Sequence, residues 1–167
     1  MSGSTENSLP GYTENSIVIL RDFDTVFDLT NNIEIWPQLF TEYEKAEVLE
    51  RKGNEVLFSL TTYPENGRPS STWVSRRIID KPGRQATAER VEKAFPFKEM
   101  KIHWTYEELP KGVGVVMTWI QKFEPAEGAW PTEKLESFLN RNTRTQMRAI
   151  KKKVEAWPAM SLTTNAV

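Results

Sequence analysis

Between residues 45 and 123 the chain repeats one pattern: apolar and polar residues alternate for seven to eleven positions, a turn signal intervenes, and the alternation resumes. Alternation of period two fixes which side chains share a face of a sheet, so a run of such segments commits the chain to antiparallel strands. The segments are 45–51, 55–63, 70–80, 85–91, 100–109 and 115–123. Lys52-Gly53-Asn54, a 64–69 stretch holding Asn66-Gly67, Lys81-Pro82-Gly83, the aromatic loop Phe95-Pro96-Phe97 and a turn at 110–114 separate them. A shorter apolar strand, SIVIL at 16–20, precedes them. After a linker at 125–131, Leu135, Leu139, Thr143, Met147, Ile150, Val154 and Trp157 step by three and four. That spacing predicts one long helix, capped by Thr132 and stopped by Pro158. The pattern predicts an α+β domain: a seven-stranded curved antiparallel sheet around a C-terminal helix.

The stretch TNNIEIWPQLFTEY, residues 30–43, interrupts this order. Asp22 or Asp24 can cap a short helix carrying Phe23, Val26, Phe27 and Leu29. A second short helix follows, because Ile33, Trp36, Leu39 and Phe40 form one apolar side. Pro37 removes a backbone donor and is expected to push Trp36 towards an extended or turn conformation, with a kink between two short helices. The segment reads as a helix capping a core, or as a lid with Trp36 and Phe40 as walls and the Tyr43 hydroxyl aimed inward.

Composition excludes several chemistries. The 167 residues fit one domain, expected at 14–157 between flexible tails at 1–13 and 158–167. The formal net charge of −1 gives no case for nucleic acid. There is no cysteine and a single histidine, His103, so thiolate chemistry and a histidine metal cluster are excluded. No apolar run approaches the roughly 20 residues of a membrane helix, and the N-terminus has no signal-like apolar segment. A cytoplasmic protein without membrane contact is the expectation. His103 is expected at the surface, and Lys151-Lys152-Lys153 at a solvated helix end.

The inward faces are unusual. They mix large rings with polar groups: Trp73, Ser75 and Arg77; Ala88 and Arg90; Trp119 and Gln121. A solid core has little use for such groups. A buried guanidinium keeps its proton, and leaving it unpaired is costly, so Arg77 belongs either at an exposed edge or in a wet cavity. Each Trp on an alternating strand serves as core or as cavity wall. An apolar-walled pocket with a few convergent polar groups is the general form of a small-molecule site.

Collinear segments extend the reading. Glu14-Asn15-Ser16-Ile17, the 30–43 stretch, Trp73-Val74-Ser75-Arg76-Arg77, Arg90-Val91-Glu92, Ile102-His103-Trp104-Thr105-Tyr106, Trp119-Ile120-Gln121-Lys122-Phe123 and Asn142-Thr143-Arg144 occur in order. Together they resemble the monodomain aromatase/cyclases of bacterial type II polyketide synthases, the tetracenomycin and spore-pigment group. The resemblance implies a helix-grip (START/Bet v 1-like) fold with a deep pocket between sheet and helix. It implies first-ring aldol cyclisation and dehydrative aromatisation of a poly-β-ketone, with no cofactor and no metal. The partners would be the acyl carrier protein that bears the chain and the minimal polyketide synthase, its ketosynthase/chain length factor. Arg77 and Tyr43 would form the catalytic pair. Trp36, Phe40, Phe58, Trp73, Phe97, Met100 and Trp104 would line the pocket. Thr62, Ser75, Arg90, Gln121, Asn140 and Gln146 would supply polar contacts. The Tyr43 phenol is expected to be acidified by the nearby Arg77 cation. The rivals are a lipid or quinone carrier without chemistry, for which Arg77, Arg90 and Tyr43 together are hard to explain, and a dehydratase acting on an already closed ring.

Overall fold

A computed structural model describes residues 9–65, 67–91 and 95–158. The strands are β1 (Gly11–Ile19), β2 (Tyr43–Lys52), β3 (Glu55–Thr62), β4 (Thr72–Asp80), β5 (Gln85–Arg90), β6 (Phe97–Glu108) and β7 (Val115–Pro125). They form one antiparallel sheet in the order β1-β7-β6-β5-β4-β3-β2. β2 to β7 follow one another as a meander, and β1 returns to pair with β7. Two short helices, α1 (Phe23–Thr30) and α2 (Trp36–Leu39), lie between β1 and β2, and the long helix α3 (Thr132–Glu155) ends the domain. Irregularities between Tyr43 and Lys45, Val48 and Glu50, and Phe97 and Glu99 interrupt the ladders, as bulges do where a sheet bends.

The alternation sorts the faces as the sequence predicts. Val56, Phe58 and Leu60 of β3, Ser75 and Arg77 of β4, and Ala86 and Ala88 of β5 are buried. So are Met100, Trp104 and Tyr106 of β6, and Val115, Met117, Trp119 and Phe123 of β7. Pairing sets these residues in rows. Val56, Arg77, Ala88, Ile102, Gln121 and Thr13 stand side by side across six strands. The two small alanines of β5 leave room beside Arg77 and Trp104, their partners in the ladders. His103 lies on the other face and its Nε2 meets Gln85 Oε1 at 2.9 Å.

Four expectations need correction. First, β1 starts at Gly11, not at residue 16, so residues 11–13, assigned to the tail, are strand. Gly11 pairs with Phe123, and a Cβ there would sit 2.3 Å from the Phe123 ring. Second, Thr132 does not cap α3: the capping position is Pro131, and no side chain bonds to the first turn. Third, Trp36 is right-handed helical (φ −55°, ψ −35°) despite the following proline. Pro37 sits in the first turn of α2, where a missing N–H costs nothing, and the break falls one residue earlier, after the 3-10 turn Ile33–Ile35. Fourth, the lysines at the end of α3 are not simply solvated. Lys151 Nζ donates to Val18 O at 2.6 Å and Lys153 Nζ to Gln38 O, tying α3 to β1 and α2. Asn66 and most of the outer tails lie outside the described residues, as do Glu92, Lys93 and Ala94.

α3 buries Leu135, Leu139, Thr143, Gln146, Met147, Ile150 and Val154, and packs chiefly along β1. Its first half closes a separate apolar cluster with Phe97, Met100 and Phe123. Its second half joins the main core with α1, α2 and the sheet. Asp22 caps α1: its Oδ2 accepts from Thr25 N at 3.0 Å and from Thr25 Oγ1 at 2.9 Å. Asp22→Ala is therefore expected to lower unfolding stability by about 1 kcal/mol, read by urea melts with an unchanged slope.

Candidate active site

Arg77 is the largest side chain buried almost completely, at 1% exposure. Its Nε and Nη2 donate to Asn31 Oδ1 at 3.0 and 2.8 Å. Its guanidinium carbon lies 4.1 Å from the Trp104 ring centre and 5.3 Å from that of Trp36. Among the described residues no carboxylate comes within ion-pair distance of it. The acceptors form a neutral chain instead. The Tyr106 phenol lies beside Arg77 and acts on it, Asn31 Nδ2 donates to Tyr106 OH at 3.1 Å, and Tyr106 OH meets Thr30 Oγ1 at 2.8 Å. Thr30 Oγ1 in turn donates to Val26 O at 2.7 Å. The partners of the guanidinium are all uncharged. Burial lowers the Arg77 pKa to about 10, with Tyr106 and Tyr43 pulling the other way. The group is still a cation at neutral pH. Burial likewise raises the Tyr106 phenol, and Arg77 only partly opposes it.

Asn31, Thr30 and Tyr106 are functional neighbours that the sequence does not single out. A signal existed for one of them: Tyr106 follows Trp104 by two residues, so both must face Arg77's side of the sheet. Asn31 and Thr30 sit where α1 ends, and Trp36 Nε1 donates to Thr30 O at 3.1 Å, which locks α2 onto that end.

Tyr43 lies in the next compartment, 9% exposed. Its ring stacks on Trp36 at 6.2 Å, tilts against Phe40 at 4.9 Å and meets Trp73 edge-on at 6.1 Å. Trp36 thus touches both members of the expected pair. The expected acidification of the phenol is overturned. Burial, then the neighbouring Glu42, push the Tyr43 pKa well above its ordinary value, and Arg90 and Arg77 do not reverse this. Desolvation of a phenolate outweighs the nearby cations.

The remaining expected residues divide into groups. Phe58 is edge-on to Trp36 at 5.6 Å, and Arg90 lies 4.3 Å from the Trp73 ring and 5.3 Å from Phe97. Ser75 is buried and pairs with Phe58 and Arg90 in the ladders. Thr62 stands opposite Tyr43, where its Oγ1 accepts from Ser71 N at 3.0 Å. Three polar residues on the α3 side are occupied by protein. Gln121 Oε1 accepts from Thr13 at 2.8 Å and Thr143 at 3.1 Å. Asn140 Oδ1 accepts from Asn15 at 2.9 Å. Gln146 grips Thr41 through two 2.8 Å bonds, to its backbone N–H and its hydroxyl. Phe97 and Met100 sit in the second cluster beneath the start of α3.

The rings expected as cavity walls touch one another rather than facing across open space. Trp104 and Trp119 stack at 4.1 Å with an interplanar angle of 5°. Phe40 stacks on Trp119 at 5.9 Å and Trp36 on Trp104 at 5.8 Å. Two other hollows exist, neither lined by Arg77 or Tyr43. One, about 410 Å³, lies at residues 64–69, and the other, about 500 Å³, lies on the outer face near Ile78, Lys101 and Ile120. Trp119, not among the expected site residues, carries a buried indole N–H with no hydrogen-bond partner among the described residues.

Comparison with known proteins supplies the context for this geometry. The family model described as polyketide cyclase / dehydrase and lipid transport matches residues 20–151. A protein of Streptomyces halstedii named "Putative polyketide cyclase" is 46% identical over 112 residues, 67% of this chain and 100% of that one. A protein of the same name from Streptomyces cyaneus is 40% identical over 152 residues, 88% of this chain and 95% of the other. The crystal structure of the Zhui aromatase/cyclase of Streptomyces sp. R1128 superposes with a TM-score of 0.76 at 18% identity, covering 86% of this chain and 93% of that one. At that identity the superposition speaks to the fold, and the fold is the expected helix grip. The family match spans both halves of the Arg77 cluster, from Thr30 and Asn31 to Trp104 and Tyr106. The chain belongs to the polyketide cyclase/dehydrase and lipid transport family.

Proposed function

We propose that this chain closes the first ring of a poly-β-ketone held on an acyl carrier protein and aromatises it by loss of water. The observation that carries the proposal is Arg77: a buried cation held by neutral acceptors and two indole faces. A charge so placed costs several kcal/mol of desolvation and finds no countercharge among the described residues. It is ready for an anion that arises during a reaction. An aldol closure supplies one twice. A methylene between two carbonyls loses a proton and becomes an enolate; the enolate carbon attacks a ketone, which becomes an alkoxide. Fixed donors in a water-poor site stabilise both oxygens far better than water does. The reaction needs no oxidant and no metal, because the methylene is already acidic and the product aromatic.

Tyr43 acts as a proton donor in this scheme. Its phenol stays protonated at neutral pH, so it gives a hydrogen bond or a proton to the ketone under attack. The aromatic cluster holds the flexible chain in one folded shape, which contributes the entropic part of catalysis. Entry requires the rings to separate, with the substrate replacing ring-on-ring contact. The unpartnered Trp119 N–H fits this reading: a buried donor costs about 1–3 kcal/mol until it finds an acceptor, and a polyketide is rich in carbonyls. The carrier protein and the minimal synthase are the partners this substrate implies.

The family description also names lipid transport, which keeps a carrier as the second reading. Apolar cargo gives no return for Arg77. The deciding experiment is product analysis with carrier-bound poly-β-ketone of defined length. A changed first-ring product in the presence of the chain supports the cyclase; unchanged products with tight retention of a fluorescent lipid support the carrier.

Arg77→Met keeps volume and removes the charge. It is expected to melt cooperatively, because lost desolvation offsets the orphaned Asn31 oxygen, while first-ring formation falls by about 10²-fold or more. Tyr43→Phe is expected to lower kcat by about 10²-fold with KM within about twofold, measured on the same substrate. Equal losses in both constants would assign Tyr43 to binding alone.

A further inference from the structure

Glu42 ends the connection between α2 and β2, one residue before Tyr43. The residue is half-buried, and groups from four parts of the fold act on its carboxylate. Asn142 of α3 donates its Nδ2 to Glu42 Oε2 at 3.0 Å. The Tyr43 phenol of β2, the next residue along the chain, lies close enough to act on the same carboxylate. Arg90 of β5 attracts it, and Glu65 of the 63–71 connection repels it. The backbone is fixed as well: Tyr63 N donates to Glu42 O at 3.1 Å, and Gln146 grips the preceding Thr41. So rigid a setting holds the carboxylate in one place, beside the phenol that the proposed reaction uses.

We infer that Glu42 is the proton acceptor of the aldol step and works through Tyr43, the phenol passing the proton without becoming a phenolate. This rests on the cyclase reading. In the forward step the substrate C–H bond breaks and its electron pair remains as the enolate. The proton goes to the Tyr43 oxygen while the Tyr43 proton goes to Glu42, which becomes a carboxylic acid. After carbon–carbon bond formation the proton returns along the same path to the alkoxide. Tyr43 and Glu42 regain their starting states, and the substrate has only been isomerised. Glu42 is thus a positioning and proton-holding residue, and Tyr43 is the group that touches substrate.

The electrostatics explain why the relay is needed. Tyr43 alone cannot serve as base, since burial and Glu42 place its phenolate out of reach near neutrality. Glu42 is moved the useful way. Burial raises its pKa above the ordinary carboxylate value; the bonds from Asn142 and Tyr43 and the charge of Arg90 limit the rise, and Glu65 adds to it. A base whose affinity lies closer to the working pH is the better proton acceptor. The sign follows. The relay needs the carboxylate, so the rate falls as pH drops through the raised Glu42 pKa. The protonated form is the one the fold favours, so its contribution to stability is full below the unfolded value and fades as pH rises through the folded one. Replacing Glu42 by a neutral amide therefore does not threaten folding at neutral pH.

The experiment is the pH–rate profile of first-ring formation on a carrier-bound linear poly-β-ketone, for the full chain and two variants. Glu42→Gln is expected to lower kcat by about 10²-fold with KM within about twofold, and to erase the acidic limb. Asn142→Asp sets a second carboxyl against Glu42 and is expected to move that limb up by about a pH unit or more. Glu42→Gln with kcat within threefold of the parent and its acidic limb intact overturns this inference alone. An Asn142→Asp profile superposable on the parent does the same, even if Glu42→Gln fails to fold. A parent chain that forms no first ring overturns the cyclase reading and this inference with it.

Discussion

The organising constraint of this molecule is a positive charge, Arg77, sealed inside a sheet with no carboxylate within ion-pair distance among the described residues. The fold handles Arg77 by chemistry that does not neutralise it. A carboxamide accepts two of its N–H groups, a phenol lies beside it, and an indole face covers the guanidinium plane. These interactions soften desolvation but leave the charge in place. A carboxylate partner would give a quieter core. Its absence around Arg77 among the described residues keeps the field of the cation available at the surface of the aromatic cluster.

Much else follows from serving that charge. Ala86 and Ala88 stay small where β5 passes it. α1 ends in Thr30 and Asn31 so that a hydroxyl and a carboxamide face the sheet. α2 is only four residues long, and its first residue, Trp36, stands between Arg77 and Tyr43. The stretch from 30 to 43 is therefore neither a plain core cap nor a loose lid. It is a wedge whose two ends carry the acceptor of the guanidinium and the phenol.

Periodicity made the sheet legible because each inward residue is set by its neighbours two positions away, so Trp73, Ser75 and Arg77 had to share a face. The stripe Leu135 to Val154 made α3 legible in the same way. Ends were less legible. The start of β1 depends on Gly11 meeting the Phe123 ring, a contact between residues far apart in sequence. Thr132 was a plausible cap by composition, yet the chain places Pro131 there. The pairing of Arg77 with Tyr43 is implied by the family resemblance alone; the environment that sets their proton affinities is not legible in the sequence. Asn31 and Glu42 come from connections between elements, where no period says which way a side chain points. Ring contacts are hidden for a related reason: alternation says that rings face inward, but not which of them meet each other once there.

That last point has an optical consequence. Trp104 and Trp119 lie nearly parallel at van der Waals separation, with Trp36 and Phe40 against them. A guest that enters between sheet and wedge must part at least one of these pairs. Parting such a pair changes how the two indoles couple, so ultraviolet circular dichroism and emission would register occupancy without a label.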